Sequence, residues 1–162
     1  MSGIIGQDLQ ARSGLLGFPS GHVLQTLSDT NTTETNTGNA TSWVATSLSL
    51  SITPSSTSSK ILCWYSSAIY QNSNSYSVAM TVFRGGLAGD NLGHVNYGLS
   101  MQQSPSSGAP VATTQSGVVL DSPSTTSATT YLLAIRESSD AITYYSINGG
   151  RTSLFVQEIA GK

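Results

Sequence analysis

Two stretches of this chain echo each other. Pro54-Ser-Ser-Thr-Ser-Ser-Lys-Ile-Leu is answered about seventy residues later by Pro123-Ser-Thr-Thr-Ser-Ala-Thr-Thr-Tyr-Leu-Leu. Each is a proline-led run of small hydroxyl residues that launches an apolar segment. Proline fixes φ and removes a ladder donor, while Ser and Thr hydrogen-bond locally in turns. The runs therefore read as loops and the segments after them as strands, within an all-β chain whose long Ser/Thr connections are built features.

Composition agrees. Ser and Thr together number 48 of 162 residues, and charged residues are only 9%, with a net charge of −2. Disordered chains combine low hydrophobicity with high net charge, which this chain lacks. So few charges also leave strand edges poorly defended against association, so edges and patches buried in a symmetric assembly are expected. Six scattered basic residues make no phosphate-binding stripe, which excludes nucleic acid as a partner. No apolar run approaches the ~20 residues of a membrane span, and no secretory signal pattern is visible at the start. The single Cys63 rules out an internal disulfide framework and reads as a small buried hydrophobe.

Residues 1–21 read as an extended arm. Gly3, Gly6, Gly14, Gly17 and Gly21 punctuate Ile4, Ile5, Leu9, Leu15, Leu16 and Phe18, too densely for a helix. These six apolar side chains are the candidate attachment residues of the arm. Residues 22–162 read as the folded domain. Strands are predicted over His22–Leu27, Trp43–Ile52, Lys60–Tyr70, Ser75–Arg84, Leu92–Leu99 (weaker), Val118–Leu120, Thr129–Arg136, Ala141–Ile147 and Thr152–Ile159. Residues 100–116 read as a long exposed loop, and Asn148-Gly-Gly as the turn of a terminal hairpin. No segment keeps a helical period. The set fits a two-sheet antiparallel β-sandwich of jelly-roll or Greek-key type.

Catalytic patterns are sparse. His22 and His94 stand in no recognisable motif, there is no Gly-x-Ser-x-Gly elbow, and the eight acids are isolated along the chain. Arg84-Gly-Gly-Leu-Ala-Gly-Asp lacks the Lys-Ser/Thr of a phosphate loop and reads as a hairpin turn. The expectation is a non-enzyme with no catalytic, cofactor-binding or metal-binding residues and no cofactor.

Ser20-Gly-His-Val-Leu-Gln, Leu48-Ser-Leu-Ser-Ile-Thr-Pro-Ser-Ser-Thr-Ser-Ser-Lys-Ile-Leu and Leu120-Asp-Ser-Pro-Ser-Thr-Thr-Ser-Ala-Thr-Thr-Tyr, with the opening Met-Ser-Gly-Ile-Ile-Gly, resemble small virion proteins of tailed bacteriophages, cyanophages among them. The resemblance spans most of residues 20–160. It implies that the 51–61 and 121–131 runs are paired loop-to-strand entries of one sandwich. It also implies a capsid decoration or cement protein on the virion surface, assembled in the host cytoplasm, and a homotrimer bound to the major capsid protein or another virion protein. The alternative is a short head or tail appendage (a fibre domain) gripping a host-surface glycan or receptor through residues 29–40 and 100–116, with Tyr97 as a stacking group. The two-sided strands supply the expected trimer interface: Ile61, Cys63, Tyr65, Tyr131, Leu133, Ile135, Leu154 and Val156.

Overall fold

A computed structural model describes residues 19–38, 41–71, 77–103, 110–138 and 142–162. Eleven strands run in chain order: β1 (Val23–Asn31), β2 (Thr35–Asn36), β3 (Val44–Ile52), β4 (Lys60–Gln71), β5 (Ser77–Arg84), β6 (Asp90–Asn91), β7 (Ser100–Gln103), β8 (Val111–Asp121), β9 (Thr129–Glu137), β10 (Thr143–Tyr145) and β11 (Thr152–Ile159). They form two antiparallel sheets packed face to face. The anchoring residues Ile4, Ile5, Leu9, Leu15, Leu16 and Phe18 lie outside the described residues.

Sheet I has the order β1–β11–β4–β8, with β2 and β10 prolonging it beyond β1 and β11. Sheet II has the order β3–β9–β5, with β6 and β7 along the other edge of β5. The pairings are nested: β1 with β11, β3 with β9, β4 with β8, β5 with β7. The chain is thus one long antiparallel ribbon, doubled back at the β5–β7 connection and rolled across two sheets, which is a jelly roll. Where the ribbon passes from one sheet to the other, both of its strands must turn together. The β3–β4 and β8–β9 connections are one such pair of corners, at the middle crossing, since Ile52 lies opposite Thr129 and Ile61 opposite Asp121. They are the two echoed Ser/Thr runs.

The core is the alternating inward set. Leu48, Ile52, Ile61, Cys63, Tyr65, Ile69, Val78, Met80, Val82, Tyr131, Leu133, Ile135, Leu154 and Val156 form one buried cluster. Burial pushes the Cys63 thiol up, so it stays protonated and inert. The Tyr65 hydroxyl donates to Met80 O (2.9 Å) and pairs with Ser100 Oγ (2.7 Å); burial pushes its pKa up to about 12. Gly117 lies directly opposite Tyr65, and a Cβ there would stand 2.6 Å from the tyrosine Oη. Gly117→Ala should therefore cost about 1–3 kcal/mol by overpacking, read as a lower urea midpoint at unchanged slope.

Three expectations are corrected. Residues 100–116 are not a loop throughout: β7 takes Ser100–Gln103, and β8 begins at Val111 and runs eleven residues. Between Val111 and Val119 the inward positions of β8 carry Thr113, Gln115 and Gly117, the last with Tyr65 filling the space beneath it, so no continuous apolar alternation marks the strand. Leu92–Leu99 is not a strand; it is a loop pinched by the His94–Gly98 bridge. Asn148-Gly-Gly does not join a hairpin. β10 and β11 lie end to end on the same edge of β4, and between Tyr145 (opposite Ile69) and Thr152 (opposite Ser67) residues 146–151 bulge out against Ala68 alone. Positive φ at Ser146, Asn148 and Gly149 makes this excursion and returns the chain to its original line.

Candidate functional site

Each of the two echoed Ser/Thr corners is pinned by a buried carboxylate. Glu158, on β11, is 1% exposed, and its Oε1 accepts from Ser55 N (2.7 Å), Ser55 Oγ (2.6 Å) and Ser59 Oγ (2.6 Å). Its Oε2 accepts from Gln25 Nε2 (2.7 Å), which also donates to Thr53 O (2.8 Å). Burial alone would raise this carboxyl, but the hydroxyl, amide and backbone donors outweigh it and hold the group below the ordinary glutamate value. Asp121, the last residue of β8, accepts both Arg84 Nη1 contacts (2.9 and 3.2 Å) and the Tyr131 hydroxyl (2.7 Å). Burial and this carboxylate together push the Tyr131 phenol upward. Both carboxylates flank Ile61 on one inward row, one on either side of β4. Their donors are all structural, and neither opens a site to a ligand.

The outer face of sheet II is covered by its own chain. Ala79, Thr81, Phe83 and Ala134 point away from the core yet are buried, because residues 91–99 fold over them. Leu92 N and Leu99 N bond to Val82 O and Met80 O, and Thr81 Oγ1 donates to Asn91 Oδ1. Gly98 is required here: its φ is +62° and a Cβ would meet Met80 O at 2.2 Å. Trp43 packs edge-on against Phe83 and donates Nε1 to Val95 O (2.9 Å), while Arg136 ties Thr41 O (2.7 Å) to Asn96 Oδ1 (2.6 Å). On this braced loop Tyr97 stacks on His94 at 4.8 Å and remains 54% exposed.

The outer face of sheet I carries no such cover among the described residues. Its register rows run Leu120–Leu62–Gln157–Thr26, Val118–Trp64–Phe155–Ser28 and Ser116–Ser66–Ser153–Thr30 across β8, β4, β11 and β1. Trp64 and Phe155 stack at 4.8 Å, nearly parallel, and Tyr70 leans on Tyr144 further up. Val118 and Leu120 are 64% and 58% exposed. None of these side chains is charged; Asp29, Glu158 and Asp121 on the same strands stand at the alternate positions, and Lys60, the first residue of β4, is the charge at the end of this face. The outer edge of β8 continues the face: from Val111 to Leu120 it has neither charge nor proline, the usual protections of an edge strand.

This places the expected trimer-interface residues. Ile61, Cys63, Tyr65, Tyr131, Leu133, Ile135, Leu154 and Val156 are all 0–1% exposed within the single chain, so they form its core and present nothing to a neighbour. The reading of β4 as apolar on both sides holds, but the alternate residues face outward. Side-chain direction has period 2, so the outward set is Leu62, Trp64, Phe155, Val118 and Leu120, offset by one position. Of the two contact loops expected for a glycan, residues 29–40 include all of β2 and the end of β1, and 100–116 include β7 and half of β8. Among the described residues no group of three or more His, Cys, Asp or Glu is placed to hold a metal ion. Glu137 is fully buried, with Oε1 taking the Thr37 hydroxyl (2.5 Å) and burial raising its carboxyl.

No protein-family model matches the chain, and no curated protein matches it. Among solved structures it is similar to the VP2 subviral particle of infectious bursal disease virus, at 9% identity and a TM-score of 0.44 over 85% of this chain and 38% of that one. It is also similar to the Gx strain of the same virus, at 12% identity and a TM-score of 0.43 over 88% of this chain and 38% of that one. The chain thus spans under two-fifths of the length of either structure.

Proposed function

We propose that the chain is a structural protein of a phage virion: a capsid decoration or cement protein that binds the assembled head as a homotrimer and stabilises it. The observation that carries this reading is the uncharged, aromatic outer face of sheet I. Charge depletion with Trp, Tyr and Phe enrichment is the composition of an interface centre, and a face of this kind is an assembly surface. The sequence resemblance to phage virion proteins points the same way. The mechanism is mass action: a protein that binds only the assembled shell stabilises that state in proportion to its own occupancy. Ile4, Ile5, Leu9, Leu15, Leu16 and Phe18 are the anchor onto the major capsid protein or a neighbouring virion protein, and three arms per trimer add avidity.

A second reading, the appendage that grips a host-surface glycan, is favoured by one observation, the exposed Tyr97 ring stacked on His94 in a loop braced by Trp43 and Arg136. Titrating the purified protein onto phage heads that lack it separates the two. Decoration predicts saturation at hundreds of copies per head, and near-complete loss of retention when residues 2–18 are deleted. Saturation at a dozen copies or fewer would move the protein to a unique vertex or the tail. Undiminished head binding by the deletion variant would remove the arm as anchor.

A further inference from the structure

We propose that the outer face of sheet I is a homotypic interface, covered by second copies of this same chain at the axis of the oligomer. The inference rests on the assembly reading above and names the surface and the occupant. Three observations on the molecule select them.

The two sheets differ in what lies over them. Sheet II is roofed by residues 91–99 and Trp43, which bury Thr81, Phe83 and Ala134. Sheet I has no equivalent roof among the described residues, yet it holds the larger aromatic groups: the Trp64–Phe155 stack and the Tyr70–Tyr144 pair. Val118 and Leu120, on the same face, are more than half exposed.

Charge then chooses between a second copy and a foreign partner. In an isologous two-fold contact a face meets its own image, and in any ring the side chains next to the rotation axis meet their own copies, so an unbalanced charge beside the axis is set against a like charge. The outward residues of β8, β4, β11 and β1 above Lys60 are hydroxyl, amide, aliphatic or aromatic, without one charged group. Such a face meets its image with no like-charge cost and no ion to desolvate. It also offers nothing by which an acidic or basic partner would be recognised.

Size is adequate. Four strands at ~4.8 Å spacing and about ten residues at ~3.3 Å give a face of roughly 20 by 30 Å. That is about 600 Å² on each copy, near the ~800 Å² per partner of a standard stable interface. The uncharged outer edge of β8 extends it at one side.

The test uses the full-length chain. Cys63 is buried and its thiol is held protonated, so a cysteine introduced on the surface is the reactive one. Ser66→Cys puts a thiol in the middle of the face; Ser49→Cys puts one on the exposed outer side of β3 in sheet II as a control. With a short bismaleimide, S66C is expected to give covalently linked chains at micromolar concentration and S49C none. Light scattering should read a multiple of 16.8 kDa for the native chain and a single chain for Val118→Lys. Val118 is largely exposed, so the fold of V118K is expected to be intact, checked by an unchanged β-sheet circular dichroism spectrum. A monomeric native chain, linkage through S49C but not S66C, or a V118K oligomer of native mass would each overturn the proposal. Copy number on heads is measured separately: many copies bound by a monomeric native chain would sink this interface and the homotrimer with it, and leave standing only the decoration role.

Discussion

Replacing Glu158 with alanine should lower the unfolding free energy by about 3 kcal/mol, a large part of the stability of a domain this size. The carboxylate accepts four hydrogen bonds, from Ser55 N, Ser55 Oγ, Ser59 Oγ and Gln25 Nε2, in a position almost free of solvent. Removing it strands those donors in the corner of the ribbon, and the cost of buried unpaired groups exceeds the value of the bonds themselves. Glu158→Gln keeps the shape but replaces one acceptor oxygen with a donor, and should cost about half as much. The pH dependence follows from the direction of the shift. The folded state holds this carboxyl below its ordinary value of about 4.3, so its contribution is fully present above that pH. It is lost as the pH falls through the lower, folded value. Glu137 acts in the opposite sense: its raised folded value makes the native state bind the proton more tightly, so its stabilisation fades as pH rises past the ordinary value. Urea unfolding of the native chain, E158Q and E137Q between pH 3 and 7 checks both signs. An acid limb of the E158Q curve as steep as the native one would refute the assignment.

Asp121→Ala should cost a similar amount, about 3 kcal/mol, for a related reason. Asp121 is 8% exposed and answers two partners, the partly exposed Arg84 guanidinium and the buried Tyr131 hydroxyl. Its removal leaves the phenol without its acceptor, and leaves Arg84 with Asp90, which is mostly exposed. Tyr131→Phe removes only one of these bonds while keeping the ring in the core, and should cost about 1–2 kcal/mol. The comparison of D121A with Y131F is therefore diagnostic. Equal losses would mean that the Arg84–Asp121 pair contributes nothing beyond the phenol bond.

The strands that the sequence reveals are those whose inward positions are apolar: β3, β5, β9 and β11, and β4 with apolar residues on both sides. β8 is legible only at Val118–Leu120, because the inward positions before it are Thr113, Gln115 and Gly117, the glycine being forced by Tyr65 reaching across to Met80 and Ser100. That reach is a property of the packed pair of sheets and leaves no periodic trace in β8 itself. The misread hairpin has a similar origin. Asn148-Gly-Gly supplies positive φ for a turn, but whether the chain then reverses or resumes its line depends on what β4 offers opposite, and β4 offers a continuous edge from Lys60 to Gln71. The candidate interface was legible only to within one residue. The apolar character of both sides of β4 is in the sequence, but which side is the core is settled by where the second sheet packs.

The echoed Pro-Ser/Thr runs mark the division between the two kinds of information. Local chemistry alone makes them loops entering strands, because proline and hydroxyl side chains act on the backbone within a few residues. That they are one structural feature, the twin corners of a single rolled ribbon, is decided by the pairing of β4 with β8 and β3 with β9. Of the carboxylates beside them, Asp121 adjoins its run in the sequence, whereas Glu158 comes from a strand whose position in the sequence says nothing of that role. Glu158 meets Ser55 and Ser59 across about a hundred residues of chain, a distance closed only by the tertiary fold.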